Sequence, residues 1–476
     1  MPDNVESTTQ ESAGRVYTHA ERMRVVTGII LCILLAALDQ TVVLPAIPQM
    51  AASLHGVGHI SWVVSAYLLT TTATTPIYGK LSDQLGRRVV LLPALVFFLL
   101  ACVFCALATS VFLLILARAL QGIGGGALLA VSQAAVADVI PPRERGRYQA
   151  WFAATWAFSS VAGPIAGGLL TEHLSWRWIF WCNLPIGALA LVLSARGLAG
   201  LKPAGLKSKI DYPGAVLLLA SVGAILLALS TGGVDFAWVS TPLALLVLAG
   251  AALGAALIAQ QRRAAAPLFP AGLIAQADFR GILTISFLNA ASMFGAIFLL
   301  PLMLQWLYHA SPAASGVELV PFLFTSTAGA FTAGQITRRT GTTRPVLIGG
   351  LALAAAGFLL LALNPAATFI TYPLVISAIF GFGIGAIMPT SLVTAQTQAS
   401  RRDVGAATGT LLLLRAMGGA FGATLAGAIL TATHGNSAEG FRAGFLACAA
   451  LQTLATVAAL KMSNITLRTT VEAAVK

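Results

Sequence analysis

Asp39 is the only charged residue between Arg24 and Lys80, and its neighbours are mostly apolar. Arg118 and Arg415 are the other charges set far inside apolar stretches. Ionisable groups in such places are costly and by default mark ion or substrate pathways. A carboxylate shielded from water but close to a cation can titrate near neutrality, so Asp39 and Arg118 together can take up a proton and change the local charge. The same two residues can also form a static ion pair, or Arg118 can snorkel outward. Arg415 can touch a substrate or brace its own surroundings through backbone carbonyls. Gln121, one helical turn from Arg118, and Gln305 and Trp62 are candidate groups of a cavity wall. Glu318 either draws cations to an outer vestibule or is a solvated interfacial residue.

Other chemistries lack their residues. There is no GxxxxGK[ST] phosphate loop, so energy must come from an ion or substrate gradient. HExxH, GxSxG and paired loop carboxylates are missing as well, which argues against an enzyme. Cys102 and Cys105 have no second pair or nearby histidines, and all five cysteines lie in apolar stretches. They read as small apolar helix residues, with no metal site and no disulfide expected. No cofactor is expected; a proton gradient is the energy source.

The elements that must position these residues face lipid. Of 476 residues, 58% are hydrophobic and 9% charged, against roughly 25% charged in a soluble domain. So few charges cannot cover a soluble protein, and the class expected is an all-α polytopic membrane protein. The net charge of +12 is spread along the chain rather than gathered in one domain, so no nucleic-acid partner is expected. A helix needs about 20 mainly apolar residues to cross the hydrocarbon. Fourteen stretches meet this: 25–49, 61–79, 89–108, 111–137, 148–170, 178–196, 212–231, 240–260, 280–307, 316–337, 345–364, 369–396, 405–430 and 442–461. At 1.5 Å per residue, Asp39 lies ~20 Å from the inner edge, Arg118 ~10 Å from the outer edge and Arg415 ~15 Å deep. Asp39 and Arg118 therefore share a depth.

Orientation follows from the basic residues. Only Arg177 and Arg442 fall in outer loops or outer helix ends, while Arg118 and Arg415 fall inside helices. All other Lys and Arg then lie on tails and inner loops, which puts both termini in the cytoplasm of a multi-pass inner-membrane protein. The sequence also repeats. GKLSDQLG at 79–86 corresponds to GQITRRTG at 334–341, and GIG at 122–124 to GIG at 383–385. The offsets of 255 and 261 match the first six spans to the last six. The division expected is a tail 1–24, a six-helix bundle 25–197, linkers with inserted helices seven and eight over 198–278, a second six-helix bundle 279–461 and a tail 462–476.

Four segments resemble the major facilitator superfamily, in its fourteen-helix drug:proton antiporter branch. ALDQTVVLPAIPQM at 37–50 is similar to the first-helix motif, with Leu44 where Asn is frequent. GKLSDQLGRR at 79–88 closely matches the signature loop between helices two and three. SSVAGPIAGGLL at 159–170 resembles the antiporter motif of helix five, with Ser159 in place of its first Gly. WRWIFWCNLPIG at 176–187 resembles the opening of helix six. The resemblance implies the major facilitator fold: two six-helix bundles plus a two-helix central insertion. It implies that Gly79, Asp83, Gly86, Arg87 and Arg88, with Asp138, latch the halves. The repeat copy has Arg338 at the place of Asp83, which makes the latch one-sided; the alternative is a solvated loop that only sets topology. It also implies a hinge of Gly163, Pro164, Gly167 and Gly168, a small-residue face for close helix packing.

The function expected is a proton-coupled antiporter that exports amphipathic drugs or toxic small molecules, cationic or neutral, by alternating access. A dedicated exporter of one metabolite and a non-transporting sensor are the alternatives. The partners expected are the lipid bilayer, protons and a small-molecule substrate, and the chain is expected to be a monomer.

Overall fold

A computed structural model describes residues 18–54, 62–200, 211–233, 236–264, 267–310, 319–367, 369–400, 402–433 and 437–467. The chain folds almost wholly into long helices. These are α1 (His19–Ser53, with a 3-10 turn at Leu44–Ala46), α2 (Trp62–Leu85), α3 (Arg87–Ala106), α4 (Val111–Val139), α5 (Pro142–His173), α6 (Trp178–Gly197) and α7 (Tyr212–Thr231). They continue as α8 (Thr241–Arg263), α9 (Ala277–Leu307), α10 (Val320–Thr340), α11 (Arg344–Leu363), α12 (Thr371–Gln398), α13 (Val404–Ala432) and α14 (Ala438–Lys461). Local chemistry sets the ends. Thr18 and Glu21 form a capping box on α1, Ser110 caps α4, and Gly341 closes α10 with a left-handed φ of 72°. Gly86, at φ 97°, permits the tight turn from α2 into α3.

Among the described residues, twelve helices are long and apolar enough to cross a membrane. The two remaining long helices, α2 and α10, carry runs of threonine and serine that lower their hydropathy. Several of these hydroxyls are satisfied within their own helix: Thr70, Thr74 and Thr75 donate to the carbonyls of Ala66, Thr70 and Thr71, and Thr325 and Thr327 to those of Pro321 and Leu323. Such back-bonding lowers the cost of a hydroxyl away from water.

Packing follows the sequence repeat. In the first set α1 packs on α5 and α6, α2 on α4, and α3 on α4 and α6. In the second, α9 packs on α13 and α14, α10 on α12, and α11 on α12 and α14. Two seams join the sets, α2 against α13 and α5 against α10, and these are also related by the repeat. The inserted pair breaks the symmetry. α7 lies against both α2 and α13, in a cluster with Ala73, Leu218, Val222, Leu226 and Leu413, and Thr424 Oγ1 donates to the Leu229 carbonyl at 3.1 Å. One seam is thus covered by the insertion.

Asp211 pins the base of that pair. Its carboxylate accepts from Gly214 N at 3.0 Å, Gln260 Nε2 at 3.0 Å and Gln261 Nε2 at 2.6 Å. Asp211→Ala leaves these donors unmet, a loss of about 1–3 kcal/mol. The expected result is faster deuterium uptake confined to 211–263, and unchanged uptake there would refute this role.

Candidate functional site

Asp39 and Arg118 meet. Arg118 Nη1 donates to Asp39 Oδ2 at 2.6 Å, with both side chains sealed from solvent. Asp39 Oδ1 accepts two more bonds, from Gln121 Nε2 at 2.7 Å and Asn183 Nδ2 at 2.9 Å. The guanidinium is held on its other sides by the Val63 carbonyl (3.2 Å), by Gln121 Oε1 (2.6 Å) and by the Tyr67 ring, 4.2 Å from Cζ to centroid. The knot ties α1, α2, α4 and α6 together. Of its members, Asn183 and Tyr67 were missed by sequence reasoning. Asn183 lies in the quoted helix-six motif, but a single amide carries no charge signal. The cysteines also differ from expectation. All five are free, but Cys102 Sγ accepts from Gln121 Nε2 at 3.0 Å and Cys105 Sγ donates to Gln121 Oε1 at 3.5 Å. Polarisable sulfur lets them border the polar knot as well as pack.

A second cluster lies at the end of the bundle that carries the basic loops. Asp83 Oδ1 pairs with Arg87 Nη1 at 2.7 Å, and Arg87 Nε with Asp138 Oδ2 at 2.8 Å. The Asp83 carboxylate also accepts from Gly405 N and Ala406 N, each at 2.8 Å, at the start of α13. A carboxylate is favourable there because the first N–H groups of a helix lack intrahelical partners. Lys80 Nζ reaches Asp403 Oδ1 at 3.1 Å across the same seam. Gly79 and Gly405 face each other so closely that a Cβ on either would strike the other's carbonyl oxygen. The α5–α10 seam has the same backbone approach, Gly146 to Gly334, but Arg338 is exposed, and Arg143 Nη2 donates to the Arg339 carbonyl at 3.2 Å. One ion pair, Lys80–Asp403, and the two hydrogen bonds to Asp83 cross the α2–α13 seam, whereas the close glycine approach is common to both seams. Arg88 departs from expectation: it is exposed and has no place in this network, because the turn at Gly86 aims Arg87, not Arg88, at the two carboxylates.

In the expected hinge, Gly163 packs on Thr41 and Gly167 on the Val42 carbonyl, and Thr41 Oγ1 donates to the Ser159 carbonyl at 2.8 Å. Pro164 sits within α5 between these contacts. Gly168 does not join them, since nothing lies within 4 Å of its Cβ position. Residues four apart share a helix face, whereas the next residue is turned by about 100°. Trp62 and Gln305 are half-buried, and Glu318 lies outside the described residues. Arg415 Nη2 donates to the Met388 carbonyl at 3.0 Å and Ser391 Oγ at 3.3 Å on α12. No group of three or more metal-ligating side chains occurs among the described residues.

A family model described as Major Facilitator Superfamily matches residues 29–258 and 282–472. The chain is 34% identical over 418 residues to the multidrug transporter protein MdtP of Bacillus subtilis (strain 168), a match covering 88% of this chain and 77% of that protein. It is 32% identical over 409 residues to multidrug resistance protein 3 of the same organism, covering 86% and 79%. The crystal structure of the human organic anion transporter MFSD10 (TETRAN) superposes with a TM-score of 0.68 over 92% of this chain and 99% of that one. At 19% identity that likeness speaks for the fold alone.

Proposed function

The chain belongs to the Major Facilitator Superfamily, as a multi-pass membrane transporter and not an enzyme, and from that premise we propose that it is a proton-coupled antiporter exporting amphipathic small molecules. The observation that carries this reading is the sealed Asp39–Arg118 pair, whose amide donors come from α4 and α6. A proton on Asp39 removes the charge that Arg118 faces and loosens a knot tying four helices. That change biases the equilibrium between two packings of the halves, which is the requirement for coupling. The Bacillus relatives are named a multidrug transporter protein and a multidrug resistance protein, which supports a broad substrate range.

In this reading α2 and α10 are spans as well, giving fourteen, with two six-helix halves and the inserted α7–α8 pair. The basic-loop end is cytoplasmic in the cell membrane, and the Asp83 cluster latches it shut while the other end opens. The protein is a monomer, and its energy source is the electrochemical proton gradient.

Dye uptake into proteoliposomes under an imposed pH gradient tests the reading. The expected result is accumulation that a protonophore abolishes. Flux that ignores the gradient would exclude antiport, and uptake of a single solute from a broad panel would favour a dedicated exporter.

A further inference from the structure

Arg415 differs from the other deep charges in having no acidic partner among the described residues. Its surroundings fix where it points. The spans most enclosed by the rest of the protein are α12 and α4, followed by α1 and α9. α12 and α4 meet near the basic-loop end, where Gln396 Nε2 donates to the Gln133 carbonyl at 3.2 Å and to Thr408 Oγ1 at 3.1 Å. Ser391 and Met388 lie about 8 Å and 12 Å further along α12, away from that end. Arg415 is anchored on these two residues through Nη2 only. Its Nε and Nη1 have no partner, and they are not among the sealed, unsatisfied atoms of the described residues. On α12, residues 383–387 and 389–396 are buried, whereas Met388 beside Arg415 is half-exposed. An opening on so enclosed a helix faces the interior between the halves, beyond the Gln133–Gln396 layer.

Among the described residues, Arg415 is therefore the cation beyond the Gln133–Gln396 layer that has no acidic partner. Asp39 cannot serve as its counter-charge, because Asp39 is sealed and both its oxygens are engaged. Arg118 adds no second open cation, being held by Asp39, Val63, Gln121 and Tyr67. We propose that Arg415 is a specificity-determining residue that receives an anionic head group, a carboxylate or sulfonate, on the amphipathic substrate. The free Nε–H and the Nη1 amino group point to different sides of the guanidinium, so the oxyanion takes a charge-assisted hydrogen bond from one of them, and the fixed positive charge disfavours the cationic members of the expected substrate class. The inference rests on the transport reading above and narrows its substrate class. Charge balance adds a consequence. One proton entering for one monoanion leaving carries two positive charges inward per cycle, whereas one-for-one exchange with a monocation carries none. Export of the anion is thus driven by membrane potential as well as by the pH gradient.

The test uses the full chain in proteoliposomes with two probes, anilinonaphthalene sulfonate as the anion and ethidium as the cation. Wild type is expected to take up the anion in preference, with stimulation by a potassium–valinomycin potential. Arg415→Gln is expected to lower anion uptake at least tenfold and leave ethidium uptake equal or higher, while Arg415→Lys keeps anion uptake within about threefold because it keeps the charge. A merely structural arginine would lower both probes alike, so an unchanged anion-to-cation ratio in Arg415→Gln overturns the proposal. Preferential uptake of ethidium by wild type does so too. If neither probe crosses, equilibrium dialysis against the solubilised protein reads the same ratio with the same criteria. Flux of the preferred anion that ignores both gradients would instead overturn the antiport reading, and the ratio would still report on Arg415.

Discussion

Asp39→Asn is expected to uncouple transport from the proton gradient. With the membrane potential clamped at zero, one-for-one exchange across one pH unit concentrates solute about tenfold, since one unit is worth about 1.4 kcal/mol. The variant is expected to stop at equal concentrations inside and out, while solute exchange without any gradient continues. Asparagine keeps the shape of the side chain and cannot bind the proton. It also leaves Arg118 as a buried cation without a counter-charge, supported by the Val63 carbonyl, Gln121 and the Tyr67 and Phe180 rings. Breaking a buried pair from one side costs about 3–5 kcal/mol, so the variant is also expected to melt earlier. Asp39→Asn with Arg118→Gln separates the two effects: the melting temperature recovers and gradient-driven accumulation does not. Full accumulation by Asp39→Asn would remove this carboxylate from the coupling mechanism.

Gly405→Val is expected to hold the basic-loop end open. A Cβ there meets the Gly79 carbonyl oxygen, Arg87 Nη1 and Asp83 Oδ1, and the first of these belongs to backbone that cannot swing aside. Overpacking of this kind costs about 1–3 kcal/mol or more. The open packing escapes that cost, and ~3 kcal/mol shifts a two-state equilibrium more than 100-fold. Efflux is expected to fall at least ~10-fold, because a cycle that cannot close one end cannot alternate. Deuterium exchange reads the state directly: the Gly405 and Ala406 amides, which donate to Asp83 in the closed seam, exchange faster in the variant. Gly349→Val is the control, since nothing lies within 4 Å of a Cβ at that position. Slow exchange at 405–406 in Gly405→Val would show that the seam tolerates the side chain.

Several features were legible because their signal is local. A charge inside hydrocarbon stands out wherever it occurs, so Asp39, Arg118 and Arg415 were found from their neighbours alone. Asn183 was not, because an amide among Trp181, Cys182 and Leu184 looks like an ordinary helix residue until Asp39 is placed against it. The glycines show the same limit. Gly163, Gly167 and Gly168 are alike in sequence, yet two pack on α1 and the third meets nothing. Arg88 and Arg87 are adjacent and identical, and the turn at Gly86 alone decides which of them joins Asp83 and Asp138.

By itself the sequence determined the helical membrane class, most of the spans, the repeat of six helices and which charges lie inside apolar stretches. These follow from the cost of polar groups in lipid and from a fixed rise per residue, and both act within one segment. The tertiary structure alone decided the other partners: Asn183 for Asp39, the α13 amides for Asp83, and, among the described residues, no acidic group for Arg415. The reason is that a partner depends on how each helix is rotated against others far away in sequence. Asp39 and Asn183 are 144 residues apart, and Asp83 and Gly405 are 322 apart. Rotation is set by the packing of every face at once, and no single segment encodes it.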